Sequence, residues 1–262
     1  MANKKGKAIC IFSAKGGVGK TIATLNMAGI FQLINKKVLI IDMDLAGGGI
    51  SVALNKPFEK SVFNLSEDLG NNRYRDFEDY VTYYNEYIDF IAAPKDPRQA
   101  TRMGYKYIDL IIEKATYAYD VVLIDTNHYL SDINLITLDR VDQILFLVTN
   151  EPLDLKNMKS LMSILHDLDI NKYKMILNNS VNPYNDYFSL YDVKNILKTN
   201  IDYTLSDKFF VKNIDDYVIE GKIVTLDKKM TTTFGKDYTT LMTIATDLLT
   251  PVAKEGVLNE QK

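Results

Sequence analysis

Short continuous apolar runs alternate along this chain with stretches in which apolar residues recur every three or four positions. The runs are residues 8–12, 38–41, 88–92, 121–124, 144–148 and 174–177. Each is short enough for a strand and near-continuously apolar rather than alternating, as a strand buried on both faces is. The stretches between them read as helices, beginning with residues 19–34. Strand and helix alternating in this way predict βα units around a mostly parallel central sheet, an α/β fold. Residues 56–87 interrupt the rhythm. They are polar and carry Tyr74, Tyr80, Tyr83, Tyr84 and Tyr87. Short helices packed over a sheet edge, with tyrosines half buried, are the expected arrangement, and a partner surface is the alternative. A last amphipathic stretch, 234–249, places Phe234, Tyr238, Leu241, Met242, Ala245 and Leu248 on one face and stops at Pro251.

Composition narrows the class. The 262 residues suit a single domain over 1–262, with a core of about 7–249 and a short tail. Hydrophobic residues are 47% of the chain, enough for a sizeable core and against disorder. The net charge of −3 argues against a constitutively basic nucleic-acid binder. The one cysteine, Cys10, lies inside the first apolar run, so no internal disulfide forms and a structural thiol is expected. No apolar stretch approaches the length of a membrane span. Residues 1–7 are basic, but the run after them is too short for a signal peptide. A cytosolic location is expected.

Chemistry enters between the first strand and the first helix, at Ala14-Lys15-Gly16-Gly17-Val18-Gly19-Lys20-Thr21. A general P-loop has Gly, four residues, then Gly-Lys-Ser/Thr. Ala14 breaks that pattern at its first position, yet the physical requirements stand. Gly16, Gly17 and Gly19 allow a tight loop with backbone N–H groups turned inward. With Val18 and the start of the helix at Ile22, they cradle phosphate. Lys20 reaches the β- and γ-phosphates of a nucleotide such as ATP or ADP, and the Thr21 hydroxyl ligates Mg²⁺. Asp42 and Asp44 follow the second strand, at the carboxyl edge where ligands of parallel sheets bind. Asp125 ends an apolar strand, as a magnesium-holding carboxylate requires. Asn178 ends the sixth. Asn127 and His128 follow Asp125. His128 reads either as a plain loop histidine or as a group that senses γ-phosphate, and His166 reads as structural. No cysteine and histidine cluster has zinc-ligand spacing.

The run Lys-Gly-Gly-Val-Gly-Lys-Thr resembles the deviant Walker A motif of the MinD/ParA family, over about residues 7–249. The resemblance implies that Lys15 reaches across an ATP-bound homodimer to the partner's nucleotide. It implies that Asp44 positions the attacking water, that Asp42 supports the magnesium site from its outer side, and that Asn178 contacts the adenine. Within the family, the stretches 89–97, 130–139 and 155–159 are similar to pilus-assembly ATPases of the CpaE/TadZ type. Those often carry an N-terminal receiver-like domain; either that domain is missing here or the chain is a divergent stand-alone member. Three functions follow as expectations. One is an ATPase that positions a pilus or secretion machine through a protein partner. The second is a partition ATPase that binds DNA nonspecifically as an ATP dimer; Lys194, Lys198, Lys208, Lys212, Lys222, Lys228 and Lys229 read either as its basic patch or, the favoured reading, as a solvated lysine face. The third is a nucleotide-binding scaffold with little turnover. Turnover is expected to be slow, and a pole or the nucleoid would be reached through partners. Because the polar side of 234–249 is not basic, direct membrane insertion is not expected.

Overall fold

A computed structural model describes residues 5–181, 187–209 and 214–250. Lys212, Pro251 and the first four residues of the basic N-terminal segment lie outside that range. Among the described residues eight strands form one sheet: β1 (Lys7–Phe12), β2 (Val38–Met43), β3 (Thr82–Tyr83), β4 (Ile88–Ile91), β5 (Val121–Thr126), β6 (Gln143–Val148), β7 (Tyr173–Asn178) and β8 (Tyr203–Leu205). Their order is β3-β4-β2-β5-β1-β6-β7-β8. Every pair is parallel except β3 with β4. The six apolar runs are the six central strands. The two that the pattern does not predict, β3 and β8, are the two edges, of two and three residues. Too short to show a period, they owe their conformation to the neighbour strand.

The helices are α1 (Lys20–Leu33), α2 (Ile50–Ala53), α3 (Val62–Gly70), α4 (Ile108–Ala118), α5 (Asp132–Arg140), α6 (Pro152–Asp167), α7 (Leu190–Leu197), α8 (Ile214–Glu220), α9 (Lys228–Thr233) and α10 (Gly235–Leu249). The sheet divides them into two layers. Ala8, Cys10 and Phe12 of β1 face a core shared with α3, α4, α5, α6 and α7. Ile9 and Ile11 face the other core, shared with α1, α2, α9 and α10. This alternation decides where each strand-end residue points. Asp42 and Asp125 continue the series that faces α1, and they are register partners on adjacent strands.

The tyrosine-rich interruption packs largely as expected. Tyr80 is buried and donates to Asp68 at 2.8 Å, Tyr74 stacks on it, and Tyr84 donates to the Gly221 carbonyl, leaving Tyr83 outside. The stretch 234–249 is α10, with Leu241, Ile244, Ala245 and Leu248 buried. The candidate basic patch does not form one surface in a single chain. Val193 and Leu197 anchor the segment of Lys194 and Lys198 in one layer. Ile223, Val224 and Met230 anchor that of Lys222, Lys228 and Lys229 in the other. The sheet lies between them.

Gly29, in the middle of α1, is where the turn 224–226 closes onto the helix. A Cβ there would lie 2.3 Å from Thr225 Oγ1 and 2.9 Å from Ile223 Cγ2. It would also displace the hydroxyl that Thr225 donates to the Asn26 carbonyl at 2.9 Å. Gly29→Val is therefore expected to lower unfolding stability by about 2 kcal/mol, the scale of overpacking a filled core. A urea midpoint equal to the parent's would show that the turn gives way freely.

Candidate active site

The loop between β1 and α1 turns back on itself through Gly17 at φ +77° and Gly19 at φ +91°, backbone that side chains other than glycine rarely adopt. Gly19 caps α1, and no side-chain cap bonds its first turn. Backbone amides at the open end of a helix are a site for anions, and the macrodipole adds to it. Val18 is fully buried and fastens the loop to the core.

Lys20 is the charge inside this loop. Its ammonium is buried and donates to Ser13 Oγ at 2.8 Å, while Ser13 donates onward to the Lys15 carbonyl at 2.8 Å. Burial lowers its pKa, and the carboxylates Asp125, Asp44 and Asp154 oppose that shift. Thr21 donates to Asp125 Oδ2 at 2.8 Å, and Thr24 donates to Asp125 Oδ1 at 3.1 Å. Burial drives the Asp125 carboxyl above the usual carboxylate range, against these hydroxyls and Lys20. Asp42 is pushed up too, by burial first and then by the charge of Asp125.

Magnesium is the group this arrangement implies. The donors are hard oxygens, and Thr21 and Asp125 stand side by side, 2.8 Å apart. No cluster of three or more carboxylate, histidine or cysteine ligands occurs among the described residues. Mg²⁺ takes one or two protein ligands and completes its shell with water and phosphate. Thr21 and Asp125 fit as its holders. Asp42 occupies a different place. Its two oxygens accept the amides of Asp44 at 3.1 Å and Ile50 at 3.0 Å, so it fixes the start and end of the loop 44–50.

Asp44 stands on that loop at the rim. Its Oδ1 accepts the Gly47 amide at 3.1 Å, and its carbonyl accepts the Gly48 amide at 2.8 Å. Its charge acts on Lys20, Asp125 and His128 together. The Lys15 ammonium pairs with Glu151 at 2.9 Å, at the N-terminus of α6. Below it Asp154 is fully buried and accepts both the amide and hydroxyl of Thr149, at 2.7 and 2.9 Å. Burial raises the Asp154 carboxyl, against Thr149 and Lys15.

Asn178 meets the loop from β7. Its amide donates to the Val18 carbonyl at 3.0 Å, and its Oδ1 accepts the Ser180 amide and hydroxyl at 3.2 and 2.7 Å. It sits at the mouth of a mainly apolar cavity of about 170 Å³, also lined by Gly19, Ile22, Val181, Leu205 and Phe209. Such a slot beside a phosphate loop suits a flat purine ring.

All of the sequence-predicted residues thus converge on one edge of the sheet, Lys15 and Asn178 at its flanks. Ser13, Glu151 and Asp154 belong to the same site and no motif marks them. An acidic residue two positions after a proline at a helix start is a capping signal that could have found Asp154. Nothing local singles out Ser13 or Glu151.

Comparison with known proteins bears on the family and the fold. The family model AAA_31, an AAA domain, matches residues 6–182. The tyrosine-protein kinase YwqD of Bacillus subtilis is 31% identical over 126 residues, 46% of this chain and 49% of that protein. The chain spans about half the length of the first curated relatives it matches. The ParA family protein pGP5-D of a Chlamydia psittaci virulence plasmid is 24% identical over 84% of this chain and 79% of its own. The septum site-determining protein MinD of Pyrococcus horikoshii, solved with Mg-ADP, superposes with a TM-score of 0.74 at 16% identity, covering 93% of this chain and 96% of that one. With its P-loop, its parallel sheet and a family match over well more than half its length, this chain belongs to the AAA-domain family AAA_31, on the fold of the MinD/ParA ATPases.

Proposed function

We propose that this protein is an ATP-hydrolysing switch that dimerises in its ATP state and, through partners, positions a cellular cargo. The observation that carries the reading is the division of labour between two lysines on one loop. Lys20 is buried in the phosphate cradle, and Lys15 is drawn outward to Glu151. One lysine suffices for a nucleotide held in cis. The second, held to Glu151 in the single chain, would serve a nucleotide held by a second copy. Lys20 and the loop amides would bind the phosphates, and the cavity beside Asn178 would take the adenine. Magnesium, when bound at Thr21 and Asp125, supplies charge neutralisation to the phosphates. Asp44, at the open rim, would orient water toward the terminal phosphate.

The test is light scattering with ADP and with a slowly hydrolysed ATP analogue, alongside phosphate release. A monomer with ADP, a dimer with the analogue and measurable turnover are expected. A monomer under both conditions would remove the switch.

The cargo admits two readings. The stretches 89–97, 130–139 and 155–159 support a pilus or secretion machine. The plasmid ParA relative favours partition, in which the ATP dimer holds DNA nonspecifically. Partition requires ATP-dependent retention of unrelated DNA that weakens steeply with salt. The lysines, divided by the sheet within one chain, would have to be brought together by dimerisation. Absence of retention at low salt with ATP leaves the machine-positioning reading.

A further inference from the structure

His128 is not used by the function proposed above, yet the fold holds it over the phosphate loop. A Cβ placed on Gly16 would lie 3.3 Å from His128 Cε1 and 3.4 Å from its Nδ1, so the ring rests directly on that glycine. The loop carrying it is tied down from behind. Asn127 Oδ1 accepts the Tyr129 amide at 2.9 Å and the Asn134 side chain at 2.8 Å, and the same Asn134 amide donates to the Tyr129 carbonyl at 2.7 Å. Tyr129 flanks the imidazole with ring centroids 4.1 Å apart. Two asparagines, one of them buried, thereby form a closed turn that presents one side chain to the cradle.

The charged groups facing that side chain define what lies between them. The charges of Lys20 and Asp44 both reach it, in opposite senses. Burial and Lys20 hold the imidazole below its usual range, so the free protein carries a neutral ring with one N–H donor. The space bounded by Lys20, Asp44 and the Gly16 backbone is where the last phosphate of a nucleoside triphosphate comes to rest on such a loop. A diphosphate ends short of it.

We infer that His128 donates a ring hydrogen bond to the terminal phosphate of bound ATP, and so distinguishes triphosphate from diphosphate. The inference rests on the ATP-binding reading above. Donors aimed at phosphate oxygens whose charge is redistributed during transfer also speed the reaction. Loss of His128 therefore touches triphosphate affinity and turnover, and spares the diphosphate.

Calorimetry with ADP and with a slowly hydrolysed ATP analogue, on the full chain and its His128→Ala and His128→Gln variants, tests this. For His128→Ala, about tenfold weaker analogue binding is expected, the scale of one hydrogen bond to a charged group. ADP affinity should stay within about twofold, as a ligand without the third phosphate never meets the ring. His128→Gln, which keeps an N–H donor, should recover most of the loss. Two outcomes overturn the inference. Affinities unchanged in His128→Ala would make the ring a packing group, and equal losses for both nucleotides would make it a support for the loop. A parent chain that binds neither nucleotide would instead overturn the ATPase reading itself.

Discussion

Lys15→Ala should bind ADP as the parent does, fail to dimerise with ATP, and hydrolyse ATP about 10²–10³ times more slowly, the usual loss for one transition-state donor. The structure explains why binding survives. Lys20 and the turns at Gly17 and Gly19 build the cradle without Lys15, whose ammonium is engaged elsewhere. It also explains why Lys15 can be recruited. The Lys15–Glu151 pair is partly open to solvent, and such pairs are worth about 1 kcal/mol or less. A terminal phosphate with several charged oxygens, in a closed interface that excludes water, outweighs it. Light scattering with a non-hydrolysed analogue, and steady-state phosphate release, check both parts. Parent-like dimers and turnover would return Lys15 to a solvated surface charge.

The second large effect is expected at Asp44. Asp44→Ala should lower turnover by about 10²–10⁴, the range for a positioned acid–base group, with ATP still bound. The complication is that Asp44 also holds its own loop, through the Gly47 amide. Asp44→Asn separates the two roles, because its carbonyl oxygen still accepts that bond while the carboxylate charge is gone. If the charge and its hold on water matter, Asn falls nearly as far as Ala. An Asn variant near the parent rate would show that the loop, and not the carboxylate, sustains turnover.

Much of this site was legible because P-loop chemistry is local. Three glycines, a lysine and a threonine in a seven-residue run form the cradle from their own backbone, and strand alternation alone turns Asp42 and Asp125 toward α1. The roles are less local than the residues. Asp42, read as supporting the magnesium site from its outer side, accepts the amides of Asp44 and Ile50 and so holds the loop 44–50. Asn178, which reads as a base contact or as a turn asparagine, donates to the Val18 carbonyl and accepts from Ser180. An aspartate or asparagine at a strand end has several possible partners, and only the path of the chain nearby selects among them.

By itself, then, the sequence determined the six central strands, the sheet edge that carries chemistry and the loop that holds phosphate. Each of those depends on residues within one or two turns of chain. The tertiary structure decided what lies far apart in sequence and close in space: Glu151 on Lys15, Ser13 on the buried ammonium, and His128 on Gly16. It also divided the lysines between two layers and added the edge strands β3 and β8. Those outcomes come from packing, where burial on one face of a shared sheet sets neighbours that no local period records.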